Sequence, residues 1–175
     1  MGTSMLVAPP TFTLVAPALF LGNARAAGAT ELLQRSGITL CVNVSRLQPG
    51  PSAPGVAELR VPVFDDPHED LLVHLEPTCA AMEAAVRAGG ACLVYCKNGR
   101  SRSAAVCTAY LMRYRGLSLE RAFQVGASGA GPAFEGGWAS CSRHRCTRLC
   151  RAFGKRHPTT PEDLPEKPRD PSQAL

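Results

Sequence analysis

The chain has 175 residues, of which 45% are hydrophobic and 19% charged, and its formal net charge at pH 7 is +5. This length and composition are typical of about one globular domain. Eight cysteines are scattered through strand-like and helix-like apolar runs, which favours a reducing compartment over a disulfide framework. No apolar run reaches membrane-spanning length.

The first 23 residues are apolar, but they lack the features of a secretory signal. No basic residue precedes Arg25, and three prolines interrupt the apolar run. A signal peptide needs a charged start and an unbroken apolar core. The sequence instead predicts an N-terminal extension over residues 1–10, followed by strands over residues 11–15 and 19–21 that are joined by a turn at Ala16-Pro17.

The next segment alternates between helix and strand patterns. Residues 30–35 predict a short helix that ends at Ser36-Gly37, and residues 38–44 predict a buried strand because they are nearly continuous in apolar and β-branched side chains. After a turn-rich loop, residues 58–64 form another strand-like run. Residues 43–45 read Asn-Val-Ser, which matches the glycosylation acceptor pattern, but we expect Asn43 to be unmodified because it lies in a buried strand.

An acidic loop follows this run, with Asp65 and Asp66 directly after the apolar residues. The residue types leave two interpretations open. One carboxyl group could donate a proton to a leaving oxygen. Alternatively, the loop is a solvated acidic turn in which Asp66, Glu69 and Asp70 lie at the start of a helix.

The pattern beyond the loop predicts an amphipathic helix, since apolar residues recur at intervals of three and four: Leu75, Cys79, Met82 and Val86. This helix is predicted over residues 76–88, with Gly89-Gly90 as its end. Residues 91–95 then form an apolar strand, and residues 96–103 read Cys-Lys-Asn-Gly-Arg-Ser-Arg-Ser. Residues 104–114 are apolar nearly all round, which predicts a buried helix.

The loop between this strand and this helix has the features of an anion site. Gly99 lies in mid-loop, where backbone N–H groups directed at one anion need a residue free of Cβ constraints. The helix that follows adds its N-terminal N–H groups and the positive end of its dipole. The same cysteine-to-arginine spacing recurs after Cys107 and Cys150, but Tyr110 and Phe153 there occupy the place of the glycine. The context, and not the spacing, predicts the phosphate site.

Cys96 is the candidate nucleophile of this site. A helix N-terminus and nearby cations favour the thiolate over the thiol, and Lys97, Arg100 and Arg102 all lie within six residues. The planar fork of Arg102 can hold two phosphoryl oxygens. The alternative is a buried structural cysteine, which explains the other cysteines of this region but not three cations around one thiol.

The motif over residues 96–103 resembles the phosphate-binding loop of the cysteine-dependent protein phosphatases, and Ala-Tyr-Leu-Met over residues 109–112 resembles their small atypical dual-specificity subgroup. Further segments similar to that family are Leu-Phe-Leu-Gly-Asn at 19–23, Cys-Val-Asn-Val-Ser at 41–45, Val-Pro-Val-Phe-Asp at 61–65 and Leu-Ser-Leu-Glu-Arg-Ala-Phe at 117–123. The resemblance implies an α/β fold with a central, largely parallel sheet and helices on both faces. It implies a catalytic domain over residues 11–124.

The resemblance also implies roles for individual residues. Cys96 attacks phosphorus, and Ser103 assists the later release of phosphate from the sulfur. Asp65 is favoured over Asp66 as the acid because it matches the family's Val-Pro-x-x-Asp pattern. The phosphoryl group is bound by the remaining loop residues: Lys97, Asn98, Gly99, Arg100, Ser101 and Arg102.

The implied function is a protein phosphatase that hydrolyses phosphotyrosine and phosphoserine or phosphothreonine through a phosphocysteine intermediate. The expected partners are phosphorylated proteins, without nucleic acid or membrane, and the oligomeric state is left open. No cofactor or metal is expected, because the thiolate and Arg102 supply the nucleophile and the charge. The expected location is the cytoplasm, with the nucleus as an alternative.

One departure from the family pattern lies directly before the nucleophile. Tyr95 occupies a position that is usually histidine, so no imidazolium supports the thiolate. This predicts a weakly active enzyme. The alternative function is a catalytically impaired module that binds phosphorylated proteins without turning them over.

A second departure lies in residues 125–175, where the family's closing helices are predicted to be missing or replaced. Residues 125–132 are small and glycine-rich, which predicts a linker, and residues 141–157 hold six Lys and Arg and no acid. Together with the proline-rich end, they predict a disordered tail, as an alternatively spliced or frame-shifted terminus would give. A zinc site in the tail is disfavoured because its cysteines lack a Cys-x-x-Cys pair.

Overall fold

A computed structural model of the chain describes residues 12–66, 68–99 and 101–129. These residues contain five strands and five helices, in the following order along the chain: β1 (Phe12–Ala16), β2 (Leu19–Asn23), α1 (Ala24–Ala27), α2 (Thr30–Arg35), β3 (Ile38–Asn43), β4 (Ala57–Arg60), α3 (Leu72–Arg87), β5 (Ala91–Cys96), α4 (Arg102–Tyr114) and α5 (Leu119–Gly129). None of these helices is both long and apolar enough to cross a membrane.

The strands form one sheet in the order β1-β2-β5-β3-β4. The β1 and β2 strands pair antiparallel, whereas the β2–β5, β5–β3 and β3–β4 pairs are parallel. β5 is the central strand, and every one of its residues is buried, as expected for a strand covered on both faces. The predicted central, largely parallel sheet is confirmed.

Helices cover both faces of this sheet. Because side chains alternate along a strand, Cys92, Val94 and Cys96 of β5 join one apolar cluster, whereas Leu93 and Tyr95 join the other. The larger cluster includes buried residues of α3, α4 and α5, and the smaller one lies under α1 and α2. The prediction of helices on both faces is therefore also confirmed.

The two long helices have different burial patterns. In α3, Leu75, Cys79 and Met82 are buried on one face, as their spacing predicts. In α4, the first eleven residues are all buried, which agrees with a sequence that is apolar nearly all round. The helix that carries the phosphate-loop motif at its start is thus the most enclosed helix among the described residues.

Helix α5 corrects one prediction from the sequence. Residues 125–129 were expected to belong to a linker, but they continue the helix that begins at Leu119. Glycine costs about 1 kcal/mol in a helix interior, but an established helix extends by one hydrogen bond per residue, and Val125 packs against the larger core. The predicted boundary at residue 124 therefore falls within α5. The rest of the predicted linker and tail, residues 130–175, lies outside the described residues.

Candidate active site

The candidate site lies at the carboxyl edge of the parallel strands. Asn23, the last residue of β2, pairs in register with Cys96, the last residue of β5. On the other side of β5, Asn43 ends β3 opposite Tyr95. Ligands of open α/β sheets bind in the crevice outside the carboxyl ends of such strands. The predicted phosphate loop, residues 96–103, leaves the sheet at this edge.

Gly99 fits the loop for two physical reasons. Its φ is 70°, in the left-handed region that non-glycine residues rarely adopt. A Cβ added there would also lie 2.7 Å from the carbonyl oxygen of Gly22 and 2.9 Å from its carbonyl carbon. The sequence predicted the first requirement. The close approach to β2 could not be predicted, because it depends on strand order.

The backbone of the loop is also tied to the start of α1. The N–H of Ala24 donates a hydrogen bond to the carbonyl oxygen of Lys97 at 3.3 Å. The side chain of Asn23 caps α1 by accepting from the N–H of Ala26 at 3.1 Å. The β2–α1 junction thus supports one side of the phosphate loop.

Cys96 and Ser103 contact each other through their side chains. The Cys96 Sγ lies 3.2 Å from the Ser103 Oγ, and either atom could be the donor. Cys96 is 2% exposed and Ser103 is fully buried. A hydroxyl at this distance can stabilise a thiolate in the pocket by a hydrogen bond.

Arg102 is a buried cation with an unused donor. Its Nη1 donates to the carbonyl oxygen of Val63 at 3.0 Å. Its Nε is buried and has no hydrogen-bond partner among the residues that the structure describes. A buried donor without a partner costs about 1–3 kcal/mol, more if it is charged, so this arrangement suits a site that an anion fills.

Asp65 lies on the other side of this arginine. Its Oδ1 is 4.0 Å from the Arg102 Nε, and its side chain is 53% exposed. Asp66 engages its own loop instead, since its Oδ1 accepts from the N–H of His68 at 2.8 Å and its carbonyl oxygen accepts from the N–H of Glu69 at 3.1 Å. The geometry brings Asp65, and not Asp66, beside Arg102.

The other predicted loop residues have different environments. Lys97 and Asn98 are exposed at the mouth of the loop, and Ser101 lies half-buried at the N-terminal boundary of α4. Arg100 lies outside the described residues. Within the described ranges, no group of three or more His, Cys, Asp and Glu side chains is arranged to hold a metal ion.

The other described cysteines are structural thiols. Burial raises the pKa of Cys41, Cys79 and Cys92 to about 12, and it raises the pKa of Cys107 well above its ordinary value. Thiols with such pKa values stay protonated near neutral pH and are poor nucleophiles. The interpretation of a buried structural cysteine therefore fits these four residues.

Glu69 is a residue of this region to which the sequence assigned no role in the site. It was interpreted as an acid of the first helical turn, but α3 begins at Leu72. Instead, its Oε1 accepts from the N–H of Phe64 at 3.1 Å and lies 3.6 Å from the Nη2 of Arg46. Sequence spacing gives no signal for such a contact, because it depends on how the loop turns back.

Comparison with known proteins points to one family. The family described as "Dual specificity phosphatase, catalytic domain" matches residues 19–129. Dual specificity phosphatase 28 of Mus musculus is 72% identical over 165 residues, which are 93% of this chain and 100% of that protein. A crystal structure of human DUSP28 has a TM-score of 0.75 at 70% identity and covers 81% of this chain and 95% of its own. The crystal structure of a mouse putative dual specificity phosphatase, complexed with zinc tungstate, has a TM-score of 0.70 at 73% identity. It covers 87% of this chain and 97% of its own.

Proposed function

Because the chain belongs to the dual specificity phosphatase family, we propose that it removes phosphate from phosphorylated proteins with Cys96 as the nucleophile. The chain is a cysteine-dependent protein phosphatase, and the remaining question is how its own residues perform the reaction. The observation that carries the proposal is the buried Arg102. Its Nε has no hydrogen-bond partner in the described part of the chain and lies 4.0 Å from the Asp65 Oδ1.

In the first step, the Cys96 thiolate attacks phosphorus, so that a P–S bond forms while the P–O bond to the substrate breaks. Asp65 gives its proton to the departing oxygen, a contribution of about 10²- to 10⁴-fold for a placed general acid. Arg102 binds the phosphoryl oxygens through its Nε, together with the N–H groups at the start of α4, which have no partners within the helix. These donors are directed at charge that persists into the transition state.

In the second step, water attacks the phosphocysteine. The ionised Asp65 takes a proton from the water, the P–S bond breaks, and phosphate leaves. The electrons of that bond return to the sulfur of Cys96, where the Ser103 hydroxyl at 3.2 Å can donate a hydrogen bond to the new thiolate. One carboxyl group thus acts first as acid and then as base.

The proposed substrates are proteins that carry phosphotyrosine as well as phosphoserine or phosphothreonine. In the sequence, no long insertion between Phe64 and Cys96 deepens the cleft, and a shallow cleft accepts both long and short side chains. The mouse relative that was crystallised with zinc tungstate offers a further argument, because tungstate is a tetrahedral oxyanion like phosphate. A cytoplasmic location, with the nucleus as the alternative, stays a prediction.

A low turnover is part of this proposal, because the neutral side chain of Tyr95 stands where the family usually has a histidine. The Tyr95 hydroxyl donates to the carbonyl oxygen of Pro49 at 2.8 Å, and the ring lies in the apolar cluster on the face opposite Cys96. Tyr95 therefore supplies neither charge nor a hydrogen bond to the thiolate. The same observation keeps open the second candidate function, a module that binds phosphorylated proteins without hydrolysing them.

The test is phosphate release from an aryl phosphate and from phosphopeptides by the full chain, beside Cys96→Ser and Arg102→Lys. We expect no release by Cys96→Ser and a loss of about 10²- to 10³-fold in Arg102→Lys, which keeps the charge but not the fork. Circular dichroism on all three proteins verifies folding. A folded parent chain that releases no phosphate, but binds phosphopeptide as tightly as Cys96→Ser does, would instead establish the binding module.

A further inference from the structure

The peptide unit between Val63 and Phe64 is held from both sides. Its carbonyl oxygen accepts from the Nη1 of Arg102 at 3.0 Å, and its N–H donates to the Oε1 of Glu69 at 3.1 Å. A peptide unit is planar, so two opposed hydrogen bonds fix the orientation of the whole plane. Asp65 is the next residue, so holding this plane in place restricts the positions that the chain can take as it reaches Asp65.

The Glu69 carboxylate is itself held by a cation that packs on the same segment. Arg46 lies 3.6 Å from the Glu69 Oε1, and its guanidinium stacks over the Phe64 ring at 4.5 Å from the ring centroid. Arg46, Phe64 and Glu69 thus form a closed set of contacts, which we call the acid-loop clamp. It joins the chain after β3 to the two ends of the segment that carries Asp65.

The loop that carries Arg46 is well anchored. The carbonyl oxygen of Arg46 accepts from the Nη1 of Arg60 at 3.1 Å, and the carbonyl oxygen of Gln48 accepts from the Nδ2 of the buried Asn43 at 2.9 Å. These bonds connect the loop to β3 and β4. The backbone that carries Arg46 is therefore held in place, although the side chains of the acid-loop clamp are partly exposed.

Folding stability does not account well for the clamp. The side chains of Arg46 and Glu69 are 47% and 25% exposed, and ion pairs of this kind add little to the free energy of unfolding. Positioning accounts for it better. The Asp65 side chain is 53% exposed, and a general acid must come within about 2.6–3.2 Å of the leaving oxygen. Small displacements of a reacting group lower rates strongly.

Resting on the proposed function, in which Asp65 is the general acid, we propose that Glu69 is a positioning residue for Asp65. It acts through the Phe64 N–H and through Arg46, and it does not touch the substrate. Loss of Glu69 should impair the first step, which kcat/KM reports, only for substrates whose leaving oxygen needs protonation.

The test compares two substrates that differ in that need. The phenol released from phenyl phosphate has a pKa of about 10, like tyrosine, and it needs a proton donor, whereas the more acidic phenol released from 4-nitrophenyl phosphate needs one much less. Steady-state kcat/KM is measured on both substrates for the full chain and for Asp65→Asn, Glu69→Ala and Glu69→Gln. Glu76→Gln is the matched control, because it removes one carboxylate from another exposed ion pair, with Arg113 at 3.2 Å.

We expect Glu69→Ala to lower kcat/KM on phenyl phosphate about tenfold and on 4-nitrophenyl phosphate less than about twofold. Glu69→Gln keeps an oxygen that can accept from the Phe64 N–H, so its loss should be intermediate, and Glu76→Gln should match the parent. Equal losses on both substrates in Glu69→Ala, or no loss on either, would overturn the proposal. If Asp65→Asn itself affects the two substrates equally, the assignment of the general acid fails, which is a different result.

Discussion

The hydroxyl of Tyr95 donates a hydrogen bond to the carbonyl oxygen of Pro49 at 2.8 Å, on the face of the sheet opposite Cys96. Adjacent residues of a strand point to opposite faces, so the residue before the nucleophile is close to it in sequence but separated from it by the strand. Burial also raises the pKa of the Tyr95 hydroxyl, which therefore stays neutral. Tyr95 thus holds the loop around Pro49 and has no direct contact with the sulfur.

The first prediction concerns this hydroxyl. Tyr95→Phe should leave kcat/KM within about twofold of the parent, while the free energy of unfolding falls by about 1 kcal/mol because the Pro49 carbonyl loses its donor. Steady-state kinetics and urea denaturation measure the two quantities. A large loss of activity at unchanged stability would show that the hydroxyl takes part in the chemistry, contrary to its position.

The second prediction concerns Gly99. An alanine there would have to adopt the left-handed φ of 70°, and its Cβ would lie 2.7 Å from the carbonyl oxygen of Gly22. Gly99→Ala should displace the phosphate loop and lower kcat/KM by about 10²-fold or more. Gly37→Ala is the matched control, since Gly37 has the same φ of 70° but nothing within 4 Å of the added Cβ.

The control variant should lose about 1–2 kcal/mol of stability and keep its activity. Activity and denaturation midpoints are compared for both variants and the parent. If Gly99→Ala and Gly37→Ala lose the same activity and the same stability, backbone strain alone explains the losses. The close approach of the loop to β2 would then have no effect on activity.

The site could be predicted from the sequence where its determinants are local. Three consecutive stretches of the chain build the phosphate loop: β5, the loop with Gly99 and the start of α4. Because they are consecutive, their residue types together indicate the strand-loop-helix arrangement. The hydrogen bond from Arg102 to Val63 spans 39 residues and ends on a backbone carbonyl. No side-chain type signals such a partner. The roles of Cys96, Arg102, Asp65 and Ser103 stay predictions, although the structure places Cys96 against Ser103 and Arg102 beside Asp65.

The end of α5 is an element whose conformation could not be predicted from local sequence. Residues 125–129 carry a weak local helix signal because they are small and include glycines. Their conformation follows from the packing of α5 against α4 and β1, with Val125 on the larger core. Tertiary contacts decided a conformation that composition alone predicted wrongly.

The third prediction concerns thiol reactivity. With pKa values raised to about 12 by burial, Cys41, Cys79 and Cys92 should be about one ten-thousandth thiolate at pH 8. Burial raises the pKa of Cys107 well above its ordinary value, so it should also stay protonated at pH 8. Iodoacetamide treatment of the native chain, followed by peptide mapping, should leave these four unmodified. Cys96 should be alkylated, and added tungstate should protect it.

The same treatment in denaturant is the control, because all these thiols should then react. Modification of Cys107 in the native chain as fast as in the unfolded one would show that the larger core opens readily. Failure of tungstate to protect Cys96 would count against the assigned phosphate site.

The last prediction concerns a buried carboxylate that joins α3 to α4. The Glu83 Oε2 accepts from the Tyr110 hydroxyl at 2.6 Å, and its Oε1 accepts from the Nε of Arg87 at 3.1 Å. These bonds, that of Tyr110 foremost, hold the pKa of Glu83 below its ordinary value. A carboxyl group whose pKa is lower in the folded state stabilises the fold above its unfolded pKa of about 4.3, and this contribution disappears as pH falls through the folded value. The parent should therefore lose more stability than Glu83→Gln between about pH 6 and about pH 3.

Tyr110→Phe separates the hydrogen bond from the carboxylate itself. It keeps Glu83 ionisable but removes the main cause of its lowered pKa, so its stability should depend on pH less steeply than that of the parent and more steeply than that of Glu83→Gln. Urea denaturation at each pH gives the three curves. Parallel curves for the parent and Glu83→Gln would mean that Glu83 binds protons equally in the folded and unfolded chain. The contacts of Glu83 with Tyr110 and Arg87 would then contribute to the free energy of unfolding only through packing.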